Sequence, residues 1–185
     1  MLKLVNSDKK REDEETKQET KVSKKHIKTT PAEIRWRKEL IEIDLPSHVN
    51  PHIDELDIMK FSVTIDLTNE EWLWKGGQYL FDIKIPSTYP HDAPKVICRT
   101  KIYHPNINME GAVCLNILRN DWNPVLGINS VILGLVFLFV EPNPEDPLNH
   151  EAAELMRVDY ETFKNTVKSS IEGEKVNGVE FPKFR

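Results

Sequence analysis

Two stretches in which apolar and polar residues alternate constrain the fold of this chain most strongly. Apolar side chains occupy every second position over residues 61–67 and again over residues 79–85. The Lys-Gly-Gly turn at residues 75–77 lies between them and offers the backbone freedom of a hairpin connection. Residues 96–98 continue the alternation, and a weaker signal of the same kind lies at residues 53–59. The middle of the chain is therefore predicted to form an antiparallel sheet.

A helix is predicted to precede this sheet. Thr30 can accept a hydrogen bond as N-cap, Pro31 suits the first helical position, and Glu33 can close a capping box. Apolar residues then follow at helical spacing. They are Trp36, Leu40 and Ile43. The helix is expected to end at Leu45-Pro46.

Helical periodicity returns in the last third of the chain. Residues 129–140 are nearly all apolar, which predicts a central helix that is covered on most sides. Asp146 and Pro147 are typical of an N-cap and a first-turn proline. The apolar face that follows them consists of Leu148, Ala152, Leu155 and Met156. A last helix is indicated over residues 160–171, and the order of elements predicts an α+β domain.

The amino-terminal part of the chain has a different composition. Residues 7–29 are dense in Lys, Glu, Asp and Thr and contain no aromatic residue. Such a segment buries too little apolar surface to offset the entropy of ordering, so we predict a disordered arm over residues 1–29 and a folded domain over residues 30–185. The tip of the arm is apolar, with Met1, Leu2, Leu4 and Val5. The tip is either a docking peptide on a tether or a chance feature of a terminal peptide.

Composition excludes several classes of function. A formal net charge of −5 argues against nucleic acid or an anionic membrane as the main partner. The most apolar run, residues 131–140, is far shorter than the roughly 20 residues of a membrane span, and the amino terminus lacks the apolar core of a signal peptide. Two cysteines make no disulfide framework, and the six histidines show no zinc-ligand spacing. We expect no cofactor and no metal, and a cytoplasmic or nuclear protein.

Residues 103–116, with the sequence YHPNINMEGAVCLN, carry the candidate chemistry. Cys114 follows a glycine break in a segment without regular periodicity, so we expect it at a surface, where a thiol near the Asn106 amide can hold and attack an acyl thioester. Cys98 is in step with a predicted strand and is interpreted as an inert core residue. A Cys-His hydrolase is disfavoured because His104 lies beside proline in a tight turn. Spacing alone supports the catalytic and inert interpretations of Cys114 about equally.

Four motifs together resemble the ubiquitin-conjugating enzyme family, and the match extends over residues 31–170. The motifs are IYHPNI, GAVCLNIL, the DWNP sequence and EPNPEDPLN. Within the family, the chain is most similar to the conjugating enzyme for the Nedd/Rub-type modifier. That similarity rests on CLNILRNDWNPVL, EPNPEDPLNHEAAE and an amino terminus that opens MLKL. The resemblance implies a first helix, a four-stranded antiparallel meander and three further helices.

The resemblance also implies roles for individual residues. Cys114 would receive the carboxy-terminal glycine of the modifier as a thioester and pass it to a substrate lysine. Asp146 matches a carboxylate that positions the lysine amine, although a helix N-cap is an equal alternative. Asn106 matches an amide that donates to the oxyanion of the tetrahedral intermediate, and its alternative is to bind the backbone of its own loop. The other matches are His104 and Pro105, which support the active loop, and Asn108, which lines the channel of the substrate lysine.

Partner surfaces follow from the same resemblance. Ring-type ligases are expected to bind the first helix and two loops, through Pro90, His91, Pro124, Val125 and Leu126. The arm tip would dock on a heterodimeric activating enzyme, and Met1 on a co-ligase. Relatives in this branch often carry an aromatic residue at the position of Val5. Cullin scaffolds are the expected substrates, and a monomer is the expected state.

Three functions are therefore compared. The first is a conjugating enzyme for a Nedd/Rub-type modifier, and the second has the same chemistry with ubiquitin as cargo. The third is a non-catalytic adaptor, which the presence of Cys114 together with Asn106 and Asp146 opposes.

Overall fold

A computed structural model describes residues 29–54 and 56–184 of the chain. The predicted disordered arm lies outside the described residues except for Thr29. The docking tip with Met1, Leu2, Leu4 and Val5 also lies outside them.

The first helix, α1 (Pro31–Glu42), begins as its sequence predicts. The Thr30 hydroxyl accepts a hydrogen bond from the Glu33 amide at 3.1 Å, and Pro31 occupies the first turn. The Glu33 carboxylate pairs with Arg37 one turn later instead of completing a capping box. Trp36 is fully buried, and its indole Nε1 donates to the Ile58 carbonyl at 2.9 Å. This bond attaches α1 to the chain just before the central strands.

Four antiparallel strands form one sheet in sequential order. They are β1 (Val49–Ile53), β2 (Lys60–Asp66), β3 (Gln78–Lys84) and β4 (Lys95–Cys98). The register pairs Val63 with Phe81, and both side chains are buried on the inner face. The alternating pattern of the sequence thus turns every second residue of β2 and β3 toward the core. The predicted meander is confirmed.

The weak strand signal at residues 53–59 was wrong in its position. The first strand runs from Val49 to Ile53, and turns follow it at residues 56 and 58–59. Only Val49 of this strand is buried, and Pro51 lies in its middle. Proline is tolerated because β1 is an edge strand of the sheet. An exposed edge strand has little alternation, so its sequence carries a poor signal.

The central helix α2 (Ile128–Val140) packs its buried residues into the common core. The prediction that it is covered on most sides is confirmed, and one face is left open. Leu133, Phe137 and Val140 are 40%, 53% and 49% exposed. These three residues follow each other at spacings of four and three, so they form one apolar stripe along the helix.

Two more helices complete the predicted set, α3 (His150–Val158) and α4 (Tyr160–Ile171). The N-cap of α3 is Asn149, whose side chain accepts from the Ala152 amide at 3.2 Å. The N-cap interpretation of Asp146 is therefore wrong, because the chain needs three more residues to leave the loop before it becomes helical. The carboxylate of Asp146 is left free for other contacts.

A small hairpin follows α4 and was not predicted. It consists of β5 (Lys175–Val176) and β6 (Val179–Glu180). The connection is Asn177-Gly178, and both residues have positive φ, at 48° and 84°. An Asn-Gly pair between short apolar stretches is a strong hairpin signal, so this element was detectable in the sequence.

The architecture is an α+β fold with α1 at one end, the four-stranded sheet, and α2 to α4 after it, as the family resemblance implies. One core joins the inner face of the sheet to α2 and α4. Trp74 lies at its centre, against His104 and Phe139 with ring centroids 4.4 and 5.8 Å away. Over residues 29–54 and 56–184, no helix has both the length and the apolarity of a membrane span.

Candidate active site

The segment from residue 103 to residue 116 is held against the edge of the sheet by an isolated bridge and a hydrogen bond. Ile97 of β4 pairs with Ala112, and the Cys98 amide donates to the Gly111 carbonyl at 2.8 Å. Within the segment, Ile107 pairs with Val113. Gly111 has φ +83°, and a Cβ at this position would lie 2.0 Å from the Cys98 carbonyl oxygen. Only glycine satisfies both the backbone conformation and this close approach. The glycine break in the sequence therefore places Cys114 beside the sheet.

His104 anchors the segment to the core of the domain. It is fully buried and stacks on Trp74. Its Nδ1 accepts from the Asn106 amide at 2.9 Å, so the neutral ring donates from Nε2 to the Leu138 carbonyl at 3.0 Å. Burial lowers the pKa of His104 to about 4. The ring is a neutral connection between the segment and α2, and it does not reach the cysteine.

Asn106 joins the segment to the loop that precedes α3. Its side-chain Nδ2 donates to the carbonyls of Asn143 and Asp146 at 2.7 and 3.1 Å. Its Oδ1 accepts from the Asn143 amide at 2.9 Å, and the residue is 1% exposed. The Pro105 carbonyl accepts from the amide of Leu148 at 2.9 Å and strengthens the same connection. Both amide hydrogens of Asn106 are thus used by the loop that carries Asp146.

Cys114 lies where the segment and this loop meet. Its amide donates to the Asn106 carbonyl at 2.8 Å, and its thiol donates to Asp146 Oδ2 at 3.1 Å. Arg119 Nη2 lies 2.8 Å from the sulfur and also pairs with Asp146. Cys114 is 6% exposed and does not belong to the apolar core cluster. The expected surface exposure of Cys114 is therefore wrong, because the side chains of Arg119 and Asp146 cover the sulfur.

The two charged neighbours act on the sulfur in opposite directions. The pKa of Cys114 is raised to about 11, first by burial and then by its hydrogen bond to Asp146, while Arg119 lowers it. The pKa of Asp146 is lowered, first by the hydrogen bond from Cys114 and then by Arg119. The unmodified site therefore holds a neutral thiol beside an ion pair at neutral pH.

Cys98 differs in its environment. It is 4% exposed in β4 and belongs to the apolar core, and its thiol donates to the Thr100 carbonyl at 3.1 Å. Burial raises the pKa of Cys98 to about 12. The residue is an inert part of the core, as its position in the strand predicts.

Sequence reasoning missed Arg119. The chain turns back after Cys114 through a short 3-10 helix, Asn116–Leu118, and this turn returns the Arg119 side chain to the sulfur. The available signal was a cation five residues after the cysteine, which points to an interaction only if a turn lies between them. The geometry of that turn depends on packing against α2, where Leu115 and Ile117 meet Gly134.

Asn108 braces the turn before the cysteine. Its side-chain Oδ1 accepts from the Ala112 amide at 2.8 Å, and its backbone amide donates to the Ala112 carbonyl at 3.1 Å. The side chain is half-buried. The hydrogen bonds of Asn108 therefore close the turn within the active segment.

The residues predicted to bind ligases lie in two loops that contact each other. Trp122 Nε1 donates to the Pro90 carbonyl at 2.9 Å, and Glu39 of α1 accepts from the Tyr89 hydroxyl at 2.7 Å and the Ile128 amide at 2.8 Å. These bonds unite α1 with both loops. The predicted ligase-contact residues in this surface are Pro90, His91, Pro124, Val125 and Leu126, of which Val125 is 86% exposed.

The described part of the chain contains no group of three or more His, Cys, Asp or Glu side chains arranged to hold a metal ion.

The fold consists of one helix, a four-stranded meander and three further helices, and Cys114 lies where two of its loops meet. The sequence profile described as ubiquitin-conjugating enzyme matches residues 32–171. The chain therefore belongs to the ubiquitin-conjugating enzyme family and is an acyltransferase.

Several curated relatives are similar over nearly the whole chain. The NEDD8-conjugating enzyme ubc12 of Schizosaccharomyces pombe is 45% identical over 89% of this chain and 93% of its own. The Nedd8-conjugating enzyme UbcE2M of Drosophila melanogaster is 42% identical over 94% and 92%. The solved structure of S. cerevisiae Ubc12 matches with a TM-score of 0.79 and 34% identity, covering 97% of each chain.

Proposed function

We propose that this chain carries a Nedd/Rub-type modifier as a thioester on Cys114 and transfers it to lysines of cullin scaffolds. The observation that carries the proposal is the contact of the Cys114 sulfur with Asp146 Oδ2 at 3.1 Å, in a loop that Asn106 holds in place. The choice of modifier is supported by the names of the relatives described above, several of which are NEDD8-conjugating enzymes.

Loading is an exchange of thioesters. The Cys114 thiolate attacks the carbonyl carbon of the modifier's terminal glycine, which arrives as a thioester on the activating enzyme. A new sulfur–carbon bond forms on Cys114, and the cysteine of the activating enzyme leaves with the electrons of the old bond. A thiolate suits both steps, because it is nucleophilic and also a good leaving group.

Discharge requires a neutral lysine amine. An unperturbed lysine has a pKa near 10.4, so deprotonation at pH 7 is uphill by roughly 4–5 kcal/mol. Asp146 is half-exposed and close to the sulfur, which suits it to orient the incoming amine and accept its proton. Its charge alone would raise the pKa of the lysine, so the benefit lies in placement.

The other residues support this exchange. His104 and Pro105 hold the active segment through their bonds to α2 and to the loop before α3. Asn106 orders that loop in the unloaded enzyme, and donation to an oxyanion would require one amide hydrogen to leave a carbonyl of Asn143 or Asp146. Asn108 is proposed to line the lysine channel.

The proposed partners are the modifier, a heterodimeric activating enzyme, a ring-type ligase with a co-ligase, and cullins. The surface formed by α1 and two loops suits a ligase, because Val125 is exposed and hydrogen bonds fix the loops to each other and to α1. The proposed contacts in these loops are Pro90, His91, Pro124, Val125 and Leu126. The segment that includes Met1, Leu2, Leu4 and Val5 is proposed to dock on the activating enzyme and co-ligase. We propose a monomer in the cytoplasm or nucleus, and the two free thiols are consistent with a reducing compartment.

An ATP-dependent charging assay tests the proposal. The full chain is incubated with each activating enzyme and its modifier, and the products are separated on a non-reducing gel. Nedd-type modifier should form a reducible adduct, and Cys114→Ser should form an ester that survives thiol reductants. Cys98→Ser is the matched control and should charge as a thioester.

Three other results would contradict the assignment. Preferential charging with ubiquitin would identify ubiquitin as the cargo, and no thioester with either modifier would favour an adaptor. A reducible thioester on Cys114→Ser would move the site to Cys98. Deletion of residues 1–29 is expected to impair charging by the Nedd-type activating enzyme more than charging by the ubiquitin one.

A further inference from the structure

The side chain of Arg119 covers the candidate nucleophile. Its Nη2 lies 2.8 Å from the Cys114 sulfur, and the same nitrogen pairs with Asp146 and lies 3.4 Å from Asn116 Oδ1. The side chains of Arg119 and Asp146 are 44% and 46% exposed, whereas Cys114 is 6% exposed. A surface ion pair of this kind contributes little to stability, so its position directly on a thiol needs another explanation.

We propose that Arg119 is a further catalytic residue of the loading step, in which its guanidinium stabilises the Cys114 thiolate against the opposing charge of Asp146. The inference rests on the proposed thioester on Cys114. A carboxylate that accepts from a thiol favours the protonated sulfur, and a guanidinium in contact with the sulfur favours the anion. Asp146 therefore lowers the fraction of thiolate at Cys114, and Arg119 raises it.

The charges that face the sulfur come from two elements. Asp146 belongs to the loop before α3, and Arg119 follows the 3-10 turn. Asn116, which is neutral, is the third polar group at the pair. Among the described residues, these two charged groups are the ones that act on the thiol. Removing either charged side chain should therefore shift the pKa of the Cys114 thiol in a direction that can be stated in advance.

The proton and electron pairs can be followed through the step. A base of the solution removes the thiol proton, and Arg119 balances the charge that forms on sulfur. The thiolate then attacks the thioester carbonyl, and the leaving thiolate of the activating enzyme carries away the electrons of the broken bond. The product sulfur is uncharged and has no hydrogen to donate, so it no longer occupies Asp146. The carboxylate becomes available to an amine in the loaded enzyme.

The decisive measurement is the pH titration of the Cys114 thiolate by its ultraviolet absorbance, with the signal of Cys114→Ser subtracted. Arg119→Gln should move the transition to higher pH and lower the thiolate fraction near pH 9 about tenfold. Asp146→Asn should move it to lower pH. Arg119→Lys keeps the charge and should remain close to the unmodified protein. Arg157→Gln is the matched control, because Arg157 binds the Pro144 carbonyl of the same loop without touching the sulfur.

A second readout is the single-turnover rate of transfer from the charged activating enzyme, followed against pH. In Arg119→Gln the pH profile of this rate should shift to higher pH, as the thiolate transition does. An unchanged or lower transition in Arg119→Gln would overturn the inference, even if charging remained normal. Failure of the unmodified chain to charge would instead remove the proposed function, and the titration would still report whether Arg119 acts on the thiol.

Discussion

The imidazole of His104 shows how one residue couples the active segment to the core. The ring is fully buried between Trp74 and Phe139 and joins the Asn106 amide to the Leu138 carbonyl. A charged imidazolium here would lose hydration, and its Nδ1 would lose the ability to accept a hydrogen bond. The position therefore requires a neutral ring, and the folded state has a lower affinity for a proton than the unfolded chain.

The free energy of unfolding should consequently fall between pH 7 and pH 5. The pKa of His104 is about 4 in the folded state and about 6.5 in the unfolded chain, so the unfolded state binds more protons in this window. The expected loss is about 2 kcal/mol at pH 5, measured by chemical denaturation. In His104→Gln this pH dependence should largely disappear, whatever the absolute stability. An equal pH dependence in that variant would contradict the assignment to His104.

The Asn106 side chain should be worth more to stability than that of Asn108. Asn106→Ala removes three hydrogen bonds that fix the Asp146 loop, and we expect a loss of about 1–3 kcal/mol. Asn108→Ala removes one bond in a more exposed turn and should cost about 1 kcal/mol or less. Denaturant titrations of the two variants make the comparison. A charging assay on Asn106→Ala should show loading but slow discharge.

At the scale of elements, the start of α3 gives a direct test of the corrected N-cap. Asn149→Ala should destabilise the protein by about 1 kcal/mol, because the Ala152 amide loses its acceptor. Asp146→Ala is the matched variant and should change the free energy of unfolding by less, because its ion pair is half-exposed. Thermal unfolding of both variants distinguishes them. The reverse order would restore Asp146 as the helix cap.

Glu39 connects three elements and should contribute more to stability than Glu33 of the same helix. Glu39→Ala leaves the Ile128 amide and the Tyr89 hydroxyl without their acceptor, and we expect a loss of about 1–3 kcal/mol. Amide hydrogen exchange should report faster opening at Ile128. Glu33→Ala, which removes a surface pair with Arg37, should cost only a few tenths of a kcal/mol. Equal effects of the two substitutions would contradict a linking role for Glu39.

The elements that the sequence predicted well share a strong local pattern. β2 and β3 alternate cleanly, and α1 carries its cap in Thr30 and Pro31, so local chemistry specifies them. β1 was misplaced because an exposed edge strand with Pro51 has no such pattern. The contact between Arg119 and the sulfur was missed for a different reason. It depends on a turn whose course is set by packing from outside the segment.

At the scale of the whole molecule, the core extends beyond the part that matches the family profile. The match ends at residue 171, yet Val176 and Phe181 are buried in the same cluster. Phe181 lies against Tyr103 with ring centroids 6.5 Å apart, and Phe184 lies 5.3 Å from Tyr79. The carboxy-terminal segment therefore covers aromatic side chains that the preceding helices leave open. One of them, Tyr103, is the first residue of the active segment.

Deletion of residues 174–185 should for this reason destabilise the entire domain. Burial of a phenylalanine or valine side chain contributes about 1.5–3 kcal/mol, so loss of Val176 and Phe181 alone predicts about 3 kcal/mol or more. Denaturant unfolding followed by tryptophan fluorescence measures the change, because Trp74 reports on the same core. Phe181→Ala should reproduce a large part of the effect, while Glu180→Gln, an exposed position in the same hairpin, should be neutral. If the shortened chain unfolded at the same denaturant concentration as the full chain, the segment would be an attachment to a core that is complete without it.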